Sequence, residues 1–188
     1  MSNQQTNLIT RSVNVPVNRI KPLREKWVDI AKVLSLQLGL QSLAANHKRS
    51  FTVSVRSPVN DEVKLQKGIE FLDAFCKGFE FVDCTSLIRM DGLYVKTLYI
   101  KDINRVIKGD HFTRAIGRIC GANGIMRTKL ENATRCRIVI SDSTAHIMGS
   151  YQAVDVACRK VGALARGALI NKVAGKLGQV KRSLDSTF

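Results

Sequence analysis

The sequence predicts an α+β fold in which two related small domains follow one another and pack side by side. Its second half alternates strand-period and helix-period apolar patterns in the order β-α-α-β-β-α. Its first half reads as a worn version of the same plan. With 188 residues, 45% of them hydrophobic, the chain is long enough for two small cores and too apolar for wholesale disorder.

The elements follow in order. Residues 1–10 are polar and Asn/Gln-rich and read as a flexible tail. Residues 12–17 alternate like a strand, with Pro16 marking an edge or strand end. Pro22 fits the first turn of a helix, and Leu23, Trp27, Ile30, Leu34 and Leu38 continue it as one apolar stripe that Gly39 stops. Residues 51–55 alternate again as a strand. Asn60 is a candidate cap for a helix with Asp61 and Glu62 in its first turn, Leu65, Ile69, Leu72 and Cys76 on its buried face, and Gly78 at its end. A short helix at 85–89 and an Asp91-Gly92 turn lead to a strand at 93–100. Asp110 is a candidate cap for the helix that ends at Cys120. A second helix at 125–134, a strand at 137–141, a turn at 142–144 and a returning strand at 145–148 come next. Val154, Ala157, Val161, Leu164 and Ala168 then define a helix over 151–168. From Asn171 onward, Val173, Leu177, Val180 and Leu184 form a stripe among Lys172, Lys176, Lys181 and Arg182. That basic helix either packs on the domain or contacts RNA.

Charge and motif select the function. Thirty Lys/Arg against fifteen Asp/Glu give a net +15 and favour a polyanionic partner. Residues 1–100 carry 14 basic and 9 acidic side chains, and residues 101–188 carry 16 and 6, so the excess sits in the second half. There Gly121-Ala122-Asn123-Gly124 joins two helices inside a basic field of Arg114, Arg118, Arg127, Lys129, Arg135 and Arg137. Glycines let the backbone turn sharply and another backbone approach closely, and the N–H groups at the start of the following helix offer an anion site. A G-x-x-G loop in this setting is the nucleic-acid clamp of a KH domain. Ile116, Ile119, Leu130 and Ile138 are expected to floor an adjoining groove, narrow enough for single-stranded bases and too narrow for a duplex. The alternative is a helix-turn-helix corner with ordinary core residues. In the first half, the stretch around Gly39 holds one glycine where such a clamp has two.

Beyond this loop, nearly the whole chain resembles a known family. Val15-Pro-Val-Asn-Arg19, Pro22-Leu-Arg-Glu-Lys-Trp27, Leu87-Ile-Arg-Met-Asp91, the stretch from Lys108-Gly-Asp-His111 through Arg137-Ile-Val-Ile140, and His146-Ile-Met-Gly-Ser150 are similar to landmarks of the partner-of-Nob (Pno/Dim-type) KH proteins of eukaryotic small-subunit ribosome assembly. The resemblance implies two tandem type I KH-like domains, the first without a clamp. It also implies binding near the 3′ end of small-subunit pre-rRNA and work alongside the Nob endonuclease, other assembly factors and ribosomal proteins. Nucleus and nucleolus, with cytoplasmic passage on the pre-small subunit, are the implied locations. The family's basic residue between the loop glycines is replaced here by neutral Ala122 and Asn123. The expected organisation is a tail at 1–10, a degenerate KH-like domain at 11–90, a clamp-bearing KH domain at 91–170 and a basic helix at 171–188.

Other chemistry is poorly supported. Five widely spaced cysteines with no C-x-x-C pair argue against a zinc module or a disulfide framework. They read as small core hydrophobes of a reducing compartment. No run of eighteen apolar residues and no apolar leader is present, so an intracellular, soluble protein without membrane attachment is expected. No P-loop or cofactor motif occurs, and the protein is expected not to be an enzyme. A metal-dependent nuclease built on Asp102, Asp110 and His111, and a protein-only scaffold, are the competing classes.

Overall fold

The structure is a computed structural model and describes residues 9–47, 50–57, 61–103, 110–141 and 143–185. The chain divides into two compact units, Met1–Asp91 and Gly92–Phe188.

In the first unit, β1 (Thr10–Val15), β2 (Gln41–His47) and β3 (Ser50–Arg56) form an antiparallel sheet of order β1-β3-β2. The strand alternation of β3 is explicit. Phe51, Val53 and Val55 are buried, while Thr52, Ser54 and Arg56 point to the other face and stay partly open. Helices α1 (Val17–Glu25), α2 (Trp27–Leu38), α3 (Glu62–Lys77) and α4 (Phe81–Arg89) complete the unit. Leu23, Ile30, Leu34, Phe71 and Leu72 from these helices are fully buried. Arg19 ties α1 to the end of α3, donating from Nε to the Phe75 carbonyl at 3.1 Å while its guanidinium lies 4.8 Å from the Phe75 ring centroid.

Several sequence expectations are corrected here. The first helix opens at Val17 behind Pro16, so Pro22 lies inside it, and the apolar stripe spans two helices broken at Lys26 (φ −99°, ψ 7°). Gly39 does end α2, in the left-handed conformation, but the place topologically equivalent to a clamp is the α1–α2 junction at Lys26, which holds no glycine. The first unit thus lacks a clamp for a different reason than its sequence suggested. Asp61 caps α3, accepting from the Lys64 N–H at 3.2 Å, and Asn60 lies outside the described residues. Thr10 already belongs to β1, and of the expected tail only Ile9 and Thr10 are described. The short helix begins at Phe81, four residues before its expected start.

The second unit repeats the topology. Strands β4 (Leu93–Tyr99), β5 (Arg137–Ser141) and β6 (Thr144–Ser150) pair antiparallel in the order β4-β6-β5, with Ile138 opposite Ile147. Helices α5 (Ile100–Ile103), α6 (Asp110–Cys120), α7 (Ile125–Thr134) and α8 (Tyr151–Ala165) surround a core that includes Ile119, Met126, Leu130, Ile138, Ile147 and Val161. Ile100 leaves the expected strand to begin α5, where it is fully buried. Asp110 is the first residue of α6, and its side chain lies outside the described set, as does Asp142 in the turn. Helix α8 stops three residues early at Ala165, before Gly167 at φ 101°. The expected basic helix is two helices, α9 (Ile170–Gly175) and α10 (Leu177–Asp185), and its stripe residues Val173, Leu177 and Leu184 are buried in this unit's core.

Candidate nucleic-acid interface

The loop between α6 and α7 is bent by three departures from ordinary backbone within four residues. Gly121 sits at φ 72°, ψ 176°, Asn123 at φ 50°, ψ 26°, and Gly124 at φ 76°, ψ 6°. Gly121 adopts a conformation open essentially to glycine alone, and Asn is among the few side-chain-bearing residues that tolerate the left-handed region. The Gly124 N–H donates to the Gly121 carbonyl at 3.3 Å and the Ile125 N–H to the Ala122 carbonyl, so two donors expected for an anion close the turn instead. Ala122 and Asn123 form its solvent-exposed crest, at the positive end of the α7 dipole. Behind the crest, Thr128 donates its hydroxyl to the Gly124 carbonyl at 3.2 Å and steadies the first turn of α7.

The basic residues divide into two groups. Arg114, Arg127 and Lys129 are exposed on α6 and α7. Arg118 is half-buried and engages the protein itself. Its guanidinium donates to the Leu164 carbonyl at 3.0 Å and the Ala165 carbonyl at 3.2 Å, closing the C-terminal end of α8. Arg118→Met should therefore cost about 1–2 kcal/mol of stability, the scale of losing charge-assisted bonds to helix-end carbonyls. The salt dependence of RNA binding should stay unchanged. Thermal melting and binding titrations on the one variant check both, and a shallower salt slope would restore Arg118 to the clamp.

The expected groove floor is corrected as well. Ile119 and Leu130 are fully buried and Ile138 nearly so, which makes them core residues that fix the helix pair against the sheet, with no surface left for a base. Ile116 and Ile140 keep partial exposure. Sequence reading missed Ile125, which is 52% exposed at the first position of α7, next to the loop. Ile125 lies off the Met126, Leu130, Ala133 stripe of α7, with polar Thr128 and Lys129 three and four positions on, and that pattern is the available signal. At the far end of α7 a cleft of about 320 Å³ is lined by Glu131, Asn132, Arg135, Cys136 and Arg137. Glu131 accepts the Ile138 N–H at 2.8 Å, so the last turns of α7 are pinned to edge strand β5.

Burial pushes the thiols of Cys76 and Cys136 up to about 11 and that of Cys84 to about 12, which keeps them protonated at neutral pH. Among the described residues no group of three His, Cys, Asp or Glu could hold a metal ion. His111 and Asp102 are exposed.

Comparison with known proteins agrees with this geometry. A family model described as a eukaryotic type KH domain (KH-domain type I), that of the second KH domain of PNO1, matches residues 97–182. The RNA-binding protein pno-1 of Caenorhabditis elegans is 41% identical over 170 residues, and the match covers 89% of this chain and 61% of that protein. The pre-rRNA-processing protein pno1 of Emericella nidulans is 37% identical over 179 residues, covering 95% of this chain and 69% of the relative. Among solved structures, Dim2p of Pyrococcus horikoshii superposes with a TM-score of 0.76 at 21% identity over 91% of this chain and 99% of that one. The same organism's aDim2p, in a complex with a/eIF2alpha and rRNA, gives 0.79 at 21% identity over 95% and 97%. These two likenesses establish the shared fold.

Proposed function

Because the chain belongs to the Pno1 family of KH-domain proteins, we propose that it is a non-catalytic RNA-binding assembly factor of the small ribosomal subunit. It holds single-stranded pre-rRNA near the 3′ end and supports the final cut by the Nob endonuclease, among other assembly factors and ribosomal proteins. Nucleus and nucleolus, followed by passage to the cytoplasm on the maturing subunit, go with this role. The chain spans 61% of the length of the nematode relative.

One observation carries the reading: an exposed G-x-x-G crest opens α7 beside Arg114, Arg127 and Lys129 in a chain of net charge +15. A phosphodiester can approach the glycine backbone closely there while the neighbouring cations neutralise its flanks. Because Ala122 and Asn123 bring no charge, the cations on the helices must supply the electrostatics. Log affinity for a single strand from the rRNA 3′ region should then fall with log salt at roughly −0.7 per phosphate contact, or about −2 for three contacts. Duplex RNA of the same sequence should bind more weakly. Fluorescence titration across a salt series measures both. A flat salt response, or equal affinity for the duplex, would count against single-strand binding at this site, and no RNA affinity at moderate salt would argue for a protein-only scaffold.

A further inference from the structure

We propose that the exposed face of α9 and α10, which carries Lys172, Lys176, Lys181 and Arg182, is a second RNA surface that binds phosphates of the strand where it runs on past the clamp. The inference rests on the RNA-binding reading above and extends the footprint of that RNA onto the C-terminal helices.

Packing, not propensity, holds these two helices in place. Helix α9 has six residues, and Gly175 and Gly178 flank the junction with α10, so neither helix has much intrinsic stability. Val173, Leu177 and Leu184 fix them by entering the core of the second unit, with both helices lying on α7 and α8. A basic amphipathic helix with an open apolar stripe suits a lipid surface, but here the core has taken the stripe. Only the polar face is offered to a ligand. On it Lys172, Lys176, Lys181 and Arg182 are all exposed, as is Arg166 shortly before α9. From Arg166 to Phe188 the sequence holds one acid, Asp185, whose side chain lies outside the described set.

Other helices treat their cations differently. Lys77 pairs with Asp73 at 2.6 Å and Arg159 with Asp155 at 3.0 Å, in each case one turn away. Among the described residues no ion pair reaches the cations of α9 and α10, and Arg182 donates from Nε to the Gly178 carbonyl of its own helix at 3.3 Å. Lys172 and Lys176, one turn apart, repel each other instead. A like-charged face without its own counter-ions suits a polyanion, whose condensed counterions are released on binding. Location favours RNA over an acidic protein segment. Helix α10 packs on α7, the helix that the G-x-x-G loop opens, and the ten residues of α7 span only about 15 Å. A strand held at the loop covers that distance in roughly five nucleotides. The competing account is that cations near helix C-termini serve only the dipoles of α9 and α10. It predicts lost stability on neutralisation and no change in RNA affinity.

The test combines Lys172→Gln, Lys176→Gln, Lys181→Gln and Arg182→Gln in one chain. A second chain carries Lys172→Arg, Lys176→Arg and Lys181→Arg, and both are compared with the unaltered protein well below their melting temperatures. The probes are oligouridines of about 4 and about 12 nucleotides, the shorter filling the clamp alone, since a KH loop holds about four backbone nucleotides. The glutamine chain should bind the longer RNA at least roughly fivefold more weakly, with a salt slope shallower by about 1.4 for two lost contacts. It should bind the shorter RNA as before. Its melting temperature should hold or rise, because a like-charged pair has gone. The arginine chain should bind both RNAs like the original. Unchanged affinity of the glutamine chain for the longer RNA would overturn the proposal. So would an equal loss for both lengths, which marks a general effect of net charge, or an equal loss in the arginine chain. The variant Ala122→Asp with Asn123→Asp, run in parallel, separates the two levels. If it loses affinity for both RNAs while the glutamine chain keeps the longer one, only the helix surface is wrong. If neither variant loses affinity for either RNA, the RNA-binding reading falls with it.

Discussion

The double substitution Ala122→Asp, Asn123→Asp is expected to weaken binding of single-stranded RNA by at least roughly tenfold, about 1.4 kcal/mol, with no loss of melting temperature. Both side chains lie exposed on the crest of the loop. Asn123 holds φ 50°, ψ 26°, a conformation that Asn and Asp share a tolerance for, so its replacement leaves the turn intact. Two acids near the start of α7 sit at the favourable end of its dipole, which holds or slightly raises stability. The native pair is neutral, so any loss comes from repulsion of the phosphate and not from a missing cation. Carboxylates a few ångströms from a phosphate in a partly solvated site cost on the order of 1 kcal/mol each, enough for the stated effect. Affinity and melting curves on the same preparation decide it. A stable double variant that binds as well as the original would show that this loop does not touch RNA.

Where the sequence was read correctly, a local physical rule was sufficient. Gly39 and Gly78 stop their helices because each takes a left-handed turn there, at φ 67° and 108°. The Ile30, Leu34, Leu38 stripe is buried because helical spacing stacks those residues on one face. The same rule hid the break at Lys26. The steps 23, 27, 30, 34 and 38 stay in phase across it, so the stripe reads as one helix although the backbone interrupts it. The glycine at 39 therefore marks the end of the second helix, one element after the place where a clamp would fall. Both units nevertheless share the order of their sheets, β1-β3-β2 and β4-β6-β5.

The site was less legible because it depends on long-range partners. Arg118 is three residues from Gly121 in sequence, yet its guanidinium bonds carbonyls 46 and 47 residues away. No spacing rule separates such an arginine from Arg114 or Arg127, which stay exposed. Ile119, Leu130 and Ile138 are apolar, which suits a groove floor and a core equally. Whether an apolar residue floors an open groove or lies beneath it is decided by packing from the opposite side, and here the core takes all three. The left-handed turn at Arg135 left no mark in the sequence, since the residue type argues against the conformation it adopts.

The two clamp glycines should prove unequal, and Gly121→Ala should be the more damaging to the fold. A Cβ on Gly121 would lie 2.7 Å from the Met126 Cβ and 2.9 Å from its backbone nitrogen, at a φ of +72°. Met126 is buried in the core beside Ile119 and Leu130, so neither side of the clash has room to yield. The backbone penalty of leaving a glycine-only conformation and the displacement of α7 together should cost about 3 kcal/mol. For a domain of this size that is a fall on the order of 15 °C in melting temperature. At Gly124 the corresponding Cβ meets nothing within 4 Å, and only the left-handed φ of +76° is strained, so Gly124→Ala should cost about 1 kcal/mol. Its methyl group would instead occupy the space above the loop where a phosphate must come close. RNA affinity in Gly124→Ala, measured well below its melting temperature, should therefore drop out of proportion to the small loss of stability. The expected division is that Gly121 serves the packing of the helix pair and Gly124 the approach of the RNA. Equal losses of stability in the two variants, or unaltered affinity in folded Gly124→Ala, would contradict that division of labour.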